Sequence, residues 1–234
     1  MYVDAEDYRE LFWEQGEPVL WYEAMPCTCY RPKSNDYNRN CPNHCEYGFL
    51  YTKRTTAMNG TPLATIDNPD APNAVIQEKK TTLVNTQTGD IIGLGDGTIM
   101  TMPDEIPLVR MDKFVLVARE RIGESETKQR GTDDVLNFPF PVSIQKLIGT
   151  DGTPLVKGTD FELQDIVNSV YKKINWLSDA VLNGNNYSVK YSYWPQMWFL
   201  GMMDRSPRYD RVNAELLPHR GVLTIKHPNY QAGN

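Results

Sequence analysis

Outside residues 27–45 the chain has no cysteine, and its whole length holds only three histidines. That scarcity excludes a disulfide framework spread over the fold and leaves little material for a histidine-based catalytic centre. His219 and His227 stand alone, and no GxSxG, no HExxH and no carboxylate pair at helical spacing occurs. The segment "GLGDG" at 93–97 lacks the Lys-Ser/Thr of a phosphate loop and reads as a turn. No apolar run approaches the roughly 20 residues a membrane helix needs. The opening "MYVDAEDYRE" has neither a basic n-region nor an apolar h-region, so no secretory signal is expected, and folding in a reducing cytoplasm is. An excess of positive charge is missing too. With 24 basic against 30 acidic residues the net charge is -6, which argues against coating nucleic acid by charge alone. It suits a surface that DNA slides past.

What is present is ordinary material for a folded protein: 234 residues, 40% of them hydrophobic. That is enough for one large domain or two small ones. The fold class expected is mainly β, small barrel or sandwich units with a short N-terminal helix and a zinc-ribbon-like cysteine loop. The helix is read at 4–15, with Asp4 as cap, Tyr8, Leu11 and Phe12 on one face, and Gly16 as stop. Strands are read at "PVLWYEAMP", "YGFLYTKRTT", "DKFVLVARE" and "GVLTIKH", and Asp96-Gly97 signals a hairpin. Tyr187, Val189 and Tyr191 alternate with Ser188, Lys190 and Ser192, a period of two. Asp151-Gly152 and Asn183-Gly184 signal turns. The organisation expected is a helix plus cysteine segment over 1–56, a barrel-like unit over 57–118, a charged loop or linker over 119–134, and a second β-rich unit with a tail over 135–234.

The stretch "CTCYRPKSNDYNRNCPNHC" then carries the chemistry. Its pattern is Cys-x-Cys, eleven residues, Cys-x3-Cys. Two close pairs of soft ligands brought together by a loop supply the tetrahedron that zinc takes. The expected structural zinc set is Cys27, Cys29, Cys41 and Cys45, with His44 able to replace one thiolate. Such a site is closed to substrate, and its binding energy is folding energy for a polar segment. Two disulfides between the pairs are one alternative, under oxidising conditions, and four free thiols are the other. Arg31, Lys33 and Arg39 interleave with Tyr30 and Tyr37, which keeps a nucleic-acid-binding zinc-ribbon module in view. A β-sandwich hydrolase with ungrouped Asp and His residues is a further alternative. Asp67, Asp70 and Asp90 read as turn residues. The apolar "WPQMWFLGMM" at 194–203, with Trp194, Trp198 and Phe199, reads as a partner-contact surface, because Pro195 and Gly201 break regular pairing. Arg205, Arg208 and Arg211 form a second candidate contact stripe.

The segment from Gly16 to Tyr51 resembles the N-terminal part of neck proteins of tailed bacteriophages. The likeness rests on Gly16, Pro18, Val19, Trp21, Cys27, Cys29, Cys41, Pro42, Cys45, Gly48 and Tyr51, and it covers about a sixth of the chain. Gly158, Asp160, Phe161, Ile174, Trp176, Tyr187 and Tyr191 add the general style of head–tail connector and tail-completion proteins. The x3 spacing before Cys45 departs from the commoner x2 form, which leaves open which of His44 and Cys45 ligates. The resemblance implies a structural virion component without catalysis, assembled in the host cytoplasm. It implies a ring of six or twelve copies at the head–tail junction, of stopper or collar type, between a portal-side adaptor and tail-side proteins. DNA would pass its channel without sequence reading, and no membrane is involved.

Overall fold

The computed structural model describes residues 10, 14–31, 37–38, 40–43, 45–54, 74–79, 83–84, 91–93, 97–102, 108–167, 169–202 and 219–224. In chain order the strands are β1 (Val19–Pro26), β2 (Phe49–Arg54), β3 (Val75–Lys79), β4 (Leu83–Val84), β5 (Ile91–Gly93), β6 (Gly97–Met102), β7 (Lys113–Leu116), β8 (Arg121–Ile122) and β9 (Glu126–Gln129). They continue as β10 (Pro141–Ile148), β11 (Phe161–Asp165), β12 (Lys172–Trp176), β13 (Asn186–Tyr193), β14 (Gln196–Met202) and β15 (His219–Thr224). The protein is mainly β and its ladders are antiparallel, as its branched and aromatic runs between turn formers require. Glu10, Glu14 and Gln15 are helical, and the rest of the expected helix lies outside the described residues.

The chain divides into two compact units, one made of 1–118 with 196–234, the other of 119–195. The boundaries expected from the sequence are corrected by this. Residues 196–234 belong with the first part of the chain because β14 pairs β7 and β15 pairs β6. Residues 119–134 are not a linker: they supply β8 and β9, both laddered to β13. Asp96 of the expected Asp96-Gly97 hairpin lies outside the described residues; on either side of it β5 pairs β4, and β6 pairs β3 and β15. Long-range pairing decided both boundaries, and none of it leaves a local trace.

In the first unit one sheet runs in the order β2-β1-β7-β14-β15-β6-β3. Its two ends meet. Glu17, two residues before β1, and Ala74, just before β3, exchange backbone hydrogen bonds of 2.8 and 3.2 Å. Six strands therefore close into a small barrel, with β2 laid along the far end of β1. Alternation sends Val19, Trp21, Ala74, Ile76, Phe114, Leu116, Met197, Phe199 and Leu223 into one buried cluster. Each large member contributes roughly 1.5–3 kcal/mol through the water it escapes.

One carboxylate fixes the end of this barrel. Asp112 has no exposed surface. Its Oδ2 accepts the Trp21 indole N–H and the Val109 N–H, both at 3.0 Å, and its Oδ1 accepts the Ala24 N–H at 2.9 Å. The ladder between β1 and β7 stops at Tyr22–Lys113, so Ala24 would otherwise face that gap on its own. Its neighbour Met111 sits at φ 80° and donates its N–H to the Phe199 carbonyl at 2.8 Å, while the Phe199 N–H returns to the Asp112 carbonyl at 2.7 Å. Burial lifts the Asp112 carboxyl above its usual range, against the pull of its three N–H donors.

The second unit centres on β13, flanked by β10 on one side and by β8 and β9 in succession on the other. The hairpin β11–β12 joins residues 134–136 through the Val135–Lys173 bridge. The expected alternation holds up to Tyr191: Tyr187, Val189 and Tyr191 are buried with Leu136, Leu147, Phe161, Ile174 and Val181, but Ser192, expected on the other face, is buried too, its hydroxyl 2.8 Å from that of Ser143. Both tyrosine hydroxyls need partners there. Tyr187 Oη donates to Asp134 at 3.0 Å, and Tyr191 Oη donates to Glu126 at 2.6 Å and accepts the Phe138 N–H at 2.8 Å. Burial, then those carboxylates, push both phenols well above their usual range. Lys128 is buried and gives its ammonium to Asn137, Asp133 and Glu126. So the charge of 119–134, which looks like loop composition, is partly consumed inside the unit. The expected turns also form, with Gly152 at φ 82° and Gly184 at φ 84°.

Asp112→Asn is expected to lower the unfolding free energy by about 2–3 kcal/mol, because an amide nitrogen cannot accept the N–H groups that one carboxylate oxygen holds. Urea denaturation checks it, and an unchanged midpoint would remove Asp112 from this role.

Candidate metal centre

Two turns and one hairpin place the cysteines. Cys27 follows directly on β1, and its carbonyl accepts the Tyr30 N–H at 2.9 Å, so Cys27 and Cys29 leave one tight turn. The Cys27 N–H donates to Gly48 at 2.8 Å, tying this arm to the other. On the second arm the Asn38 side chain accepts the Asn40 N–H at 3.0 Å and its carbonyl accepts the Cys41 N–H at 3.1 Å. Cys45 is then aimed by a two-residue turn. Glu46 and Phe49 exchange both backbone bonds at 2.9 Å, with Tyr47 at φ 50° and Gly48 at φ 90° between them. Two positive φ values are what this hairpin turn demands. A Cβ on Gly48 would lie 2.8 Å from the Tyr30 ring and 3.1 Å from Tyr37 Cβ, so the position requires glycine for space as well as for backbone.

All four sulfurs lie within 4.8 Å of one another. Cys27 and Cys41 approach to 3.6 Å, and Cys29 and Cys45 to 3.2 Å. A tetrahedral ion with metal–sulfur bonds of about 2.3 Å sets sulfurs about 3.8 Å apart. The set fits that size, so the four cysteines could hold a metal ion. His44 lies outside the described residues, and four sulfurs already complete a tetrahedron. The electrostatics favour a cation. The Cys29 N–H bonds the Cys27 sulfur and, with Asn43 Nδ2 at 3.7 Å, brings that thiol down to about 6. The bond to Cys45 lowers Cys29, but burial and the sulfurs of Cys41 and Cys27 outweigh it and the net shift is upward. Burial, then the Cys29 sulfur, raises Cys45. The Cys27 thiolate forms readily, while those of Cys29 and Cys45 are disfavoured unless a positive ion neutralises them.

The described ends of the loop pack against the first unit. Tyr30 packs on Phe49 with ring centroids 4.9 Å apart, beside buried Ala24 and Met111. Lys113 of β7 is nearly buried, gives its ammonium to Glu46 at 2.7 Å, and sits 4.3 Å from the Tyr51 ring centroid. Glu46 adjoins Cys45, so this ion pair anchors the cysteine loop to the strand that follows Asp112. Lys113 and Glu46 are not singled out in the sequence, and Tyr47-Gly48, read there as the start of a strand, form the turn before β2 instead. Only "EYGF", a glycine one residue before a strand, hinted at the turn. Tyr30 and Tyr37, the aromatics a nucleic-acid reading would use for stacking, are spent on the loop's own packing around Gly48.

The partner-contact candidates are corrected in part. Phe199 is 1% exposed in the barrel core and Trp198 is 8% exposed, because β14 runs between β7 and β15 instead of leaving the sheet. Gly201, read as a break, marks a register shift in the β14–β15 ladder. Trp194 is half-buried. Arg205, Arg208 and Arg211 lie outside the described residues, as do Asp67, Asp70, Asp90 and His227. No helix among the described residues is long and apolar enough to cross a membrane. No protein-family model matches the chain, and no curated protein matches it.

Protons compete with the ion for the same sulfurs, so bound metal is expected to be lost as pH falls, and to be lost earlier in Cys45→Ser than in the parent. Metal retained per chain across an acid titration measures this. Gly48→Ala is expected to cost about 1–2 kcal/mol and to weaken metal binding with it. A Gly48→Ala protein with parental stability and metal affinity would contradict the packing described.

Proposed function

We propose that the chain is a structural virion protein of the bacteriophage neck. It would be a ring subunit of stopper or collar type that joins the portal side of the capsid to the tail and forms part of the DNA channel. The observation that carries this is the cysteine segment. A polar loop between two strands is closed by four converging sulfurs, in the stretch whose residues resemble the neck family, on the surface of a small barrel. A four-sulfur set leaves the ion no open position for a substrate, so its use is to give a loop a fixed shape. Fixed shape is what a docking loop in a stacked ring needs. The ion proposed is zinc, which four thiolates in a tetrahedron select. The chain is proposed to have no enzymatic role, to work at the head–tail junction of the virion, and to let DNA pass without reading it.

Light scattering on the purified chain, alone and mixed with portal-side and tail-side proteins of the same phage, tests the proposal. The expected result is a ring of six or twelve copies, alone or on the partner. A monomer that stays one in every mixture overturns it. Tight DNA binding that weakens steeply with salt would instead favour a nucleic-acid-binding module.

A further inference from the structure

The four cysteines sit on two arms, Cys27 and Cys29 on one, Cys41 and Cys45 on the other. The approaches of 3.6 and 3.2 Å both run between arms, joining Cys27 to Cys41 and Cys29 to Cys45. A disulfide is about 2.05 Å long, so each pair must close by roughly 1–1.5 Å, which side-chain rotation supplies. Backbone bonds hold both arms in place while this happens: Cys27 N–H to Gly48, Tyr30 N–H to Cys27, Cys41 N–H to Asn38. A bond within the first arm would instead bridge Cys27 and Cys29, with one residue between them, and force open the turn that Tyr30 closes.

We propose that the set is a convertible staple. It holds one divalent ion while its sulfurs are thiolates, and it becomes the two disulfides Cys27–Cys41 and Cys29–Cys45 when oxidised, with the loop keeping its course. The inference rests on the metal reading of this site and not on the ring assembly. With a hydroperoxide as oxidant the atoms balance. One thiolate of a pair attacks a peroxide oxygen, the O–O bond breaks, and a sulfenic acid and a hydroxide or alkoxide form. The second thiolate displaces hydroxide from the sulfenic sulfur as the S–S bond forms. Two protons from solvent complete a water and a water or alcohol, and each pair loses two electrons. The ion leaves because no thiolate holds it. A protein made in a reducing cell and used outside it would thus keep this loop shaped in both settings.

The test loads the reduced full chain with Zn²⁺, treats it with hydrogen peroxide, and follows released zinc with a chromophoric chelator. The linkage is mapped by partial reduction and alkylation before mass spectrometry. Expected are complete release of zinc, a product four hydrogens lighter than the reduced chain, and the Cys27–Cys41 and Cys29–Cys45 links. Hydrogen exchange at the Tyr30 and Cys41 amides should match in the zinc and disulfide forms and be roughly tenfold faster in the reduced, zinc-free form. In pair-retaining variants, C27S/C41S and C29S/C45S should each oxidise to one disulfide roughly tenfold faster than C27S/C45S and C29S/C41S. Links within an arm, the swapped pairing, sulfonic acids in place of disulfides, or a reduced chain that takes up no zinc each overturn the proposal. If the variants fail to fold, the parental linkage map still decides. Particle mass is not read here, so failure of the staple and failure of the neck reading are separate results.

Discussion

The structure of the first unit depends on a buried carboxylate. Asp112 accepts three N–H groups from β1 and the 109–112 turn, where the strand ladder itself has run out. A buried anion without such donors would be costly. With them, it terminates a barrel whose other closure is the Glu17–Ala74 bridge. Phe199 and Met111 are locked by backbone bonds on either side of the same residue, so the aromatic core and the polar clasp are one assembly.

The cysteine loop is built onto that assembly. Asp112 holds Ala24, two residues before the end of β1, and the next residue after β1 is Cys27. Lys113, the neighbour of Asp112, reaches Glu46 beside Cys45. Each arm of the sulfur set is therefore referenced to the barrel through adjacent residues, Asp112 just before β7 and Lys113 at its start. A polar loop rich in Asn and Pro has no core of its own, and its fixed points are these contacts and the sulfurs. The second unit has no cysteine: Asp134, Glu126 and Lys128 satisfy hydroxyl, indole and amide groups around its core.

Much of this was legible locally. The alternation at Tyr187, Val189 and Tyr191, the strand "PVLWYEAMP", the turns at Asp151-Gly152 and Asn183-Gly184, and the set of Cys27, Cys29, Cys41 and Cys45 all depend on periodicity, turn chemistry or short spacing. Illegible were features made by distant partners. The charged run 119–134 looks like a linker until β9 pairs β13 and Lys128 is buried beside Glu126 of the same strand. The apolar 194–203 looks like a contact surface until β7 and β15 cover it. Asp112 looks like any acidic residue before a strand, since its three donors lie up to 91 residues away.

Sequence alone determined the mainly β class and the cluster of four cysteines, because side-chain alternation and the reach of a short loop are local properties of the chain. Tertiary structure alone decided that the barrel takes strands from both ends of the sequence, with the second unit inserted between them in the chain. It also decided that Asp112 and Lys113 anchor the cysteine loop, and that the close sulfur approaches cross from arm to arm. Those depend on which distant backbone groups remain without a partner once the strands have paired, and a buried polar group must find one.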